Sequence, residues 1–547
     1  MGLTSAPFAR ALWAQARQAP AATITAAMAR EAAAVAGLTF SDAELQGMLG
    51  SLNRILARAM DLHQAPPEND APSPMPFNPR VPGVPVRVPA RVHRPSTPAR
   101  QTRPAALDDV AFWSILQLSD LLQRRAVTSV ELTELYLGRL ERHNATLNCV
   151  VTLTRERALA EARAADRELS AGHSRGLLHG IPYGVKDIIA ARGAPTTWGA
   201  KPFETRVIDE DAAVVTRLGA AGAVLAAKLS SGEFAFGDEW FRGRTNNPWN
   251  PAEGSSGSSA GSGAATAAGL VGFAIGSDTG GSILSPAVRC GVVGLRPTFG
   301  RVSRRGVMAA GWTLDKIGPI CRTVEDCAIV LHAIAGPDGD DLSVPADVPY
   351  AWDARESPKG RTVGVVAGML ERETDAAVRA NNARAIDAMK AAGLEIWVID
   401  PPTSDLSYFI EYTERAAGFE AIVRSGQDAL VSQRVRNDLR AYHLVTAVDY
   451  LQANRERLRL MEAYARATRE VDVVIGGAVT LDSTSLNPIT SLTGHPCVAV
   501  PTGFRPNGTP TGFTLAGRLY DEAGLLVVAR VIEEATGLGG RKPALEP

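Results

Sequence analysis

The 547-residue sequence lacks the features that mark several protein classes. Its five cysteines, Cys149, Cys290, Cys321, Cys327 and Cys497, are scattered and form no CxxC pair. Neither a disulfide framework nor a zinc site is therefore suggested, and a reducing, cytoplasmic setting is expected. Charge of one sign is also missing: 57 lysines and arginines stand against 58 aspartates and glutamates, which leaves no strong field to draw in nucleic acid or an anionic membrane. The most apolar stretch, 263–274, is too short to span a bilayer and is made largely of small residues. The amino terminus, MGLTSAPFARALWAQARQAP, has no apolar segment behind basic residues, so no secretory signal is expected. These absences favour small-molecule or protein partners, with no nucleic acid and no membrane.

With 45% hydrophobic residues, the chain can bury a large core. Residues 1–64 read as a helical region, with a cap at Ser41 ahead of Leu45, Met48, Leu52 and Ile55 at helical spacing. Residues 65–107 read as a proline-rich linker or arm, because twelve prolines between Pro66 and Pro104 favour extended chain that buries little surface. The main body spans 108–547 and opens on a capping box, Thr128-x-x-Glu131, before an amphipathic helix. After Gly176, short apolar runs such as 184–190 and 223–229 alternate with helical stretches such as 211–222. The alternation returns at 362–367, 394–399 and 498–501, with helices near 374–392 and 521–536, which predicts one large α/β domain. Residues 402–470 look like a mostly helical insertion that walls a pocket.

Three segments carry candidate chemistry. In Gly180-Ile-Pro-Tyr-Gly-Val-Lys186-Asp187 a lysine lies in an apolar strand, where loss of hydration lowers its pKa and lets it act as a base. A lone lysine more often reaches solvent or pairs with a neighbour such as Asp187. The run 254–263, GSSGSSAGSG, leads straight into apolar sequence, which favours a tight structured approach over a flexible linker. In Gly276-Ser-Asp-Thr-Gly-Gly-Ser282, two glycines set backbone N–H groups beside a serine, as an oxyanion hole requires. Taken singly, such a turn is usually just a turn.

In their order and spacing, GIPYGVKD, SGSSAGS and GSDTGGS together resemble the amidase signature family. The resemblance is dense from Asn246 to Val307 and weaker over about 108–540, including SLTGHPCVAVPTGF. It implies a large mixed central β-sheet covered by helices on both faces, and hydrolysis of an amide C–N bond with no metal or organic cofactor. By the same resemblance Lys186 is the base, Ser258 a bridging serine after a cis peptide, and Ser282 the nucleophile that forms the acyl-enzyme. Thr279, Gly280, Gly281 and Ser282 would supply oxyanion N–H groups, with Ser259 bonding near the lysine. Two departures stand out: Ser256 and Ala260 replace glycines but stay small, and Leu284 occupies a position that is usually arginine, which argues against a small anionic substrate.

Two alternatives remain at this point: a glutamine-hydrolysing subunit of a tRNA-dependent amidotransferase, and a Ser-His-Asp esterase built on the Gly257-Ser-Ser259-Ala-Gly261 elbow with His443 or His495. The acyl and amine groups stay open among aryl amides, carbamates, fatty and peptide amides. Tyr408, Phe409, Tyr412 and Phe419 hint at an apolar pocket, although such spacing more often marks core. For partners, a small-molecule amide is expected, and a homodimer wrapped by the arm is left open.

Overall fold

A computed structural model describes residues 23–64, 69, 77–86, 88–477, 485–538 and 541–545. Residues 1–20, read for a secretory signal, lie outside these, as do 65–68, 70–76 and 87 of the arm.

Near the amino terminus, helices α1 (Ala26–Val35) and α2 (Asp42–Gln64) pack on each other. Ser41 and Glu44 exchange hydrogen bonds at the start of α2, so the expected cap is present. Asn69, in the linker, ties this extension to the body. Its side chain donates to the carbonyls of Ala309 (3.2 Å) and Gly418 (3.3 Å) and accepts from Ala309 N–H (2.8 Å). Farther on, Arg91 reaches Glu356 and Asp521, and Ser96 N–H donates to Glu325.

The body is organised around one mixed sheet of 11 strands. In chain order these are β1 (Val150–Leu153), β2 (Pro182–Lys186), β3 (Val224–Leu229), β4 (Phe273–Asp278), β5 (Val293–Arg296) and β6 (Lys316–Cys321), followed by β7 (Thr362–Val366), β8 (Glu395–Ile399), β9 (Val473–Gly477), β10 (Cys497–Phe504) and β11 (Pro510–Gly517). Their spatial order is β1-β3-β2-β4-β6-β5-β10-β11-β9-β7-β8. The β3-β2-β4 and β9-β7-β8 groups run parallel and the centre is antiparallel. Side chains alternate across the sheet: Val498 and Val500 of β10 join one hydrophobic cluster, while Cys497 and Ala499 join another on the opposite face. Helices cover both clusters, so no face of the central strands meets water.

The expected strands at 184–190, 223–229, 362–367, 394–399 and 498–501 correspond to β2, β3, β7, β8 and β10, with boundaries shifted by a few residues. The four-residue β1, wedged between two helices, was not anticipated. Five further helices shape the site: α3 (Ala260–Ala267), α4 (Leu284–Cys290), α5 (Leu406–Gly418), α6 (Gln433–Tyr442) and α7 (Leu486–Leu492). All five cysteines are buried and unpaired. No helix among the described residues is long and apolar enough to cross a membrane.

Candidate active site

Every residue of β2 is buried, and Lys186 is its last. Burial pushes its ammonium down to about 7, against the opposing pull of the Asp278 and Asp315 carboxylates. Its Nζ donates to Ser258 Oγ at 2.6 Å and to Ser277 Oγ at 2.8 Å. Pairing with Asp187, the plain alternative for this lysine, does not occur. Asp187 is held by Lys228 Nζ at 2.7 Å and by the N–H of Thr197.

Ser258 follows a cis peptide bond from Gly257. Only glycine fits before it, since a Cβ there would lie 1.9 Å from the Gly237 carbonyl oxygen. The next residue, Ser259, does not touch the lysine. Its Oγ donates to the Ser277 carbonyl (3.0 Å) and accepts from Ser277 N–H (3.2 Å), so it fixes the residue that does. Its own N–H donates to the Ser282 carbonyl at 3.0 Å, which joins the two serine-bearing segments.

The turn after β4 is held at four successive carbonyls. Thr279 C=O accepts from Ser491 Oγ and from Lys316 Nζ at 3.4 Å. Gly280 C=O accepts from Asn487 Nδ2 (2.5 Å), Gly281 C=O from Ser285 N–H (2.8 Å), and Ser282 C=O from Ser259. In a trans peptide the next N–H points opposite to the carbonyl, so anchoring the carbonyls also aims the N–H groups. Two of those are already used: Asp278 accepts from Gly281 N–H (2.8 Å) and Ile283 N–H (2.7 Å). The N–H groups of Gly280 and Ser282 have no acceptor among the described residues. Of the expected oxyanion donors, Gly281 is therefore engaged elsewhere, and Thr279 contributes a hydroxyl bond to Asp315 at 2.6 Å.

Asp278 is fully buried. Burial works to raise its carboxyl, but Arg296, Lys316 and the two backbone N–H groups outweigh it and hold the pKa below its ordinary value. Arg296 contacts Asp278 at 3.2 Å and also reaches Asn487 and Thr490 of α7. Ser277, Asp278, Lys316, Asn487 and Ser491 received no role from the sequence. Ser277 and Asp278 sat inside the GSDTGGS string, whereas Asn487 and Ser491 come from a segment more than 200 residues away.

A cleft of about 760 Å³ opens at Ser282, lined among others by Gly257, Gly280, Tyr408, Glu411, Tyr412 and Tyr442. The aromatic set divides. Tyr408 and Tyr412 face the cleft, and Tyr412 stacks on Tyr442 at 5.1 Å, whereas Phe419 is buried against Phe234 at 4.4 Å. Asp238, Glu411, Arg434 and Asp438 also line the cleft, which is more polar than the aromatics suggested. Leu284 points into the core and is fully buried. His443 and His495 bond to the Leu439 carbonyl and to Thr493, not to Ser259, and this removes the basis for the esterase alternative.

Residues 131–526 match the Amidase family. The chain is 36% identical over 479 residues to the A-subunit of glutamyl-tRNA(Gln) amidotransferase from Methylococcus capsulatus, covering 79% of this chain and 98% of that one. A counterpart from Roseiflexus is 37% identical over 487 residues, with the same coverage. Among solved structures, the peptide amidase of Stenotrophomonas maltophilia superposes with a TM-score of 0.72 at 29% identity, covering 80% of this chain and 99% of that one. The fold and its matches define an amide-hydrolysing enzyme that cleaves C–N bonds. The chain belongs to the Amidase family.

Proposed function

We propose that the enzyme hydrolyses small-molecule amides through an acyl-enzyme on Ser282, with Ser258 and Lys186 as proton relay and base. The observation that carries this reading is the 2.6 Å contact between Ser258 Oγ and a lysine whose pKa is brought near 7 by burial. Neutral Lys186 takes the Ser258 proton on its lone pair, and Ser258 takes that of Ser282 as its oxygen attacks the carbonyl. The tetrahedral oxyanion is received by the N–H groups of Gly280 and Ser282. The relay then protonates the departing amine, water attacks the ester, and Ser282 is regenerated. No step calls for a metal or organic cofactor.

Half-buried Ser282 at the cleft and the anchored carbonyls behind it support these roles. The decisive test is a panel of anilide, aliphatic amide, carbamate, ester and glutamine substrates with wild type and Ser282→Ala. Loss of about 10⁴-fold or more in the variant is expected. Wild-type rates in Ser282→Ala would overturn the nucleophile assignment.

Similarity to the A-subunits of amidotransferases supports a second reading, glutamine hydrolysis within a complex. The buried Leu284 leaves no cation at that position for an α-carboxylate, and the amino-terminal extension lies outside the family match, so action as a separate enzyme is favoured. Glutamine turnover that appears only with partner subunits would reverse this order.

A further inference from the structure

A cavity of about 350 Å³ lies between the arm and the body and shares no lining residue with the cleft at Ser282. Its floor is the sheet, where Val474 of β9 pairs with Ala516 of β11, and Tyr464 of the helix Ala447–Thr468 stands in one wall. Its roof is the arm at 81–86. Gly83, with φ of 76°, turns the chain there, and the Val84 N–H donates to the Val81 carbonyl at 3.1 Å. That stretch makes no hydrogen bond to the body among the described residues, although Arg80 before it holds Asp347 and Arg91 after it holds Glu356 and Asp521. The roof is a span fixed at both ends and free between them, which leaves a way in.

The lining is mainly aliphatic, and its charges are already matched. Arg518 donates to the Val471 carbonyl at 3.1 Å and meets Asp472 at 3.3 Å, while Arg469 pairs with Glu470 at 2.9 Å. One polar group is not matched. His495, in the same lining, is only 8% exposed, and its ring packs edge-on against Tyr464 with centroids 4.8 Å apart. Its Nδ1 lies 2.8 Å from Thr493 Oγ1, which itself lies 2.9 Å from the Ile489 carbonyl oxygen. A carbonyl has no proton to give, so both contacts carry one only if the hydroxyl donates to Ile489 and Nδ1–H donates to the hydroxyl. Burial and the Arg296 guanidinium push the ring's pKa down to about 3, so it carries no second proton. Nε2 is therefore a bare acceptor, and it has no partner among the described residues. Buried polar atoms are nearly always satisfied, and here the space beside the ring is a cavity.

We infer that this cavity is a second ligand site, one for a neutral, compact and largely apolar molecule that gives a single O–H or N–H to His495 Nε2. The matched charges offer nothing to an ion, and the volume is within the range of small-molecule pockets. The ligand is not the amide under attack, because Ser282 is not in the lining.

The test titrates the full chain with indole and with benzothiophene, which matches indole in size and shape but has no N–H, followed by ligand-observed NMR. Indole should bind about tenfold more tightly, as for one buried hydrogen bond. His495→Phe keeps the aromatic packing and should bring the two Kd values together. Val84→Trp, at a roof position 48% exposed, should fill the space and remove binding of both probes. Should His495→Phe not fold, Val84→Trp alone decides. Failure of indole to bind wild type, equal affinity of the two probes for wild type, or an indole preference that survives either variant would overturn the site.

Discussion

Two buried lysine–serine pairs stand on either side of the turn at 279–282, and they are electrostatic near-twins. Lys186 closes β2 and Lys316 opens β6, both are fully buried, and burial pushes each down to about 7. Each donates to a serine hydroxyl, Lys186 to Ser258 at 2.6 Å and Lys316 to Ser491 at 3.1 Å. The difference lies one bond farther on. Ser491 turns its hydroxyl to the Thr279 carbonyl, so that pair ends on backbone and holds a shape. Ser258 Oγ donates to no backbone carbonyl among the described residues, and in the relay proposed above it is the hydroxyl that passes the Ser282 proton to Lys186. A lowered pKa therefore reports an environment, and the next acceptor in line decides the role.

The most severe way to break the comparison is to remove each amine. Lys186→Met should lower kcat/KM by about 10⁴-fold, as for loss of a triad member, and Lys316→Met by only about 10- to 100-fold, as for a weakened oxyanion site. Equal losses in steady-state assays would make the two pairs functionally alike. Proton uptake separates them next. With Lys186 near 7 and required neutral, log kcat/KM should rise with unit slope below about pH 7 and level off above it, a change of about 100-fold from pH 5 to the plateau. Lys316→Met should keep that inflection at its lower rate. Its disappearance would hand the base role to Lys316.

A milder cut sharpens the same contrast from the turn's side. Ser491→Ala loosens the Thr279 carbonyl, whose peptide carries the Gly280 N–H, and should lower kcat about tenfold with little change in KM, because a misaimed N–H is felt mainly by the oxyanion. The smallest effect is on stability. Both lysines have folded pKa values near 7 and an ordinary value of 10.5, so between those limits the unfolded chain binds more protons and stability rises with pH. Each contributes at most about 1.4 kcal/mol per pH unit. Urea midpoints between pH 7 and 9 should climb less steeply in Lys316→Met than in wild type.

What could be read from the sequence was what is written locally. Lys186, Ser258 and Ser282 each sit in a short, compositionally odd string, and β3 or β7 announce themselves as apolar runs. The partners that tune them are products of pairing. Ser277 meets Lys186 because β2 lies beside β4, with Val185 opposite Ile275, and no local pattern encodes that register. Asn487 and Ser491 belong to a seven-residue helix whose sequence gives no sign of the turn it grips. Leu284 was visible as a missing cation, yet its direction was not, and it fills core. The aromatic set separated by angle: Tyr408 and Tyr412 are four apart on one side of α5, while Phe409 points elsewhere and Phe419 lies past the helix end.

Asn69 sets a limit on how this chain can be cut. It lies outside the 131–526 match, yet it meets both backbone groups of Ala309, whose neighbours Ala310 and Gly311 donate to Asp315, which in turn receives the Thr279 hydroxyl. Trimming to the boundary of shared ancestry would leave those groups bare within three contacts of the reacting turn. Exchange of catalytic bodies between relatives must therefore carry this residue along, because in this chain the contacts behind the turn reach beyond the matched segment.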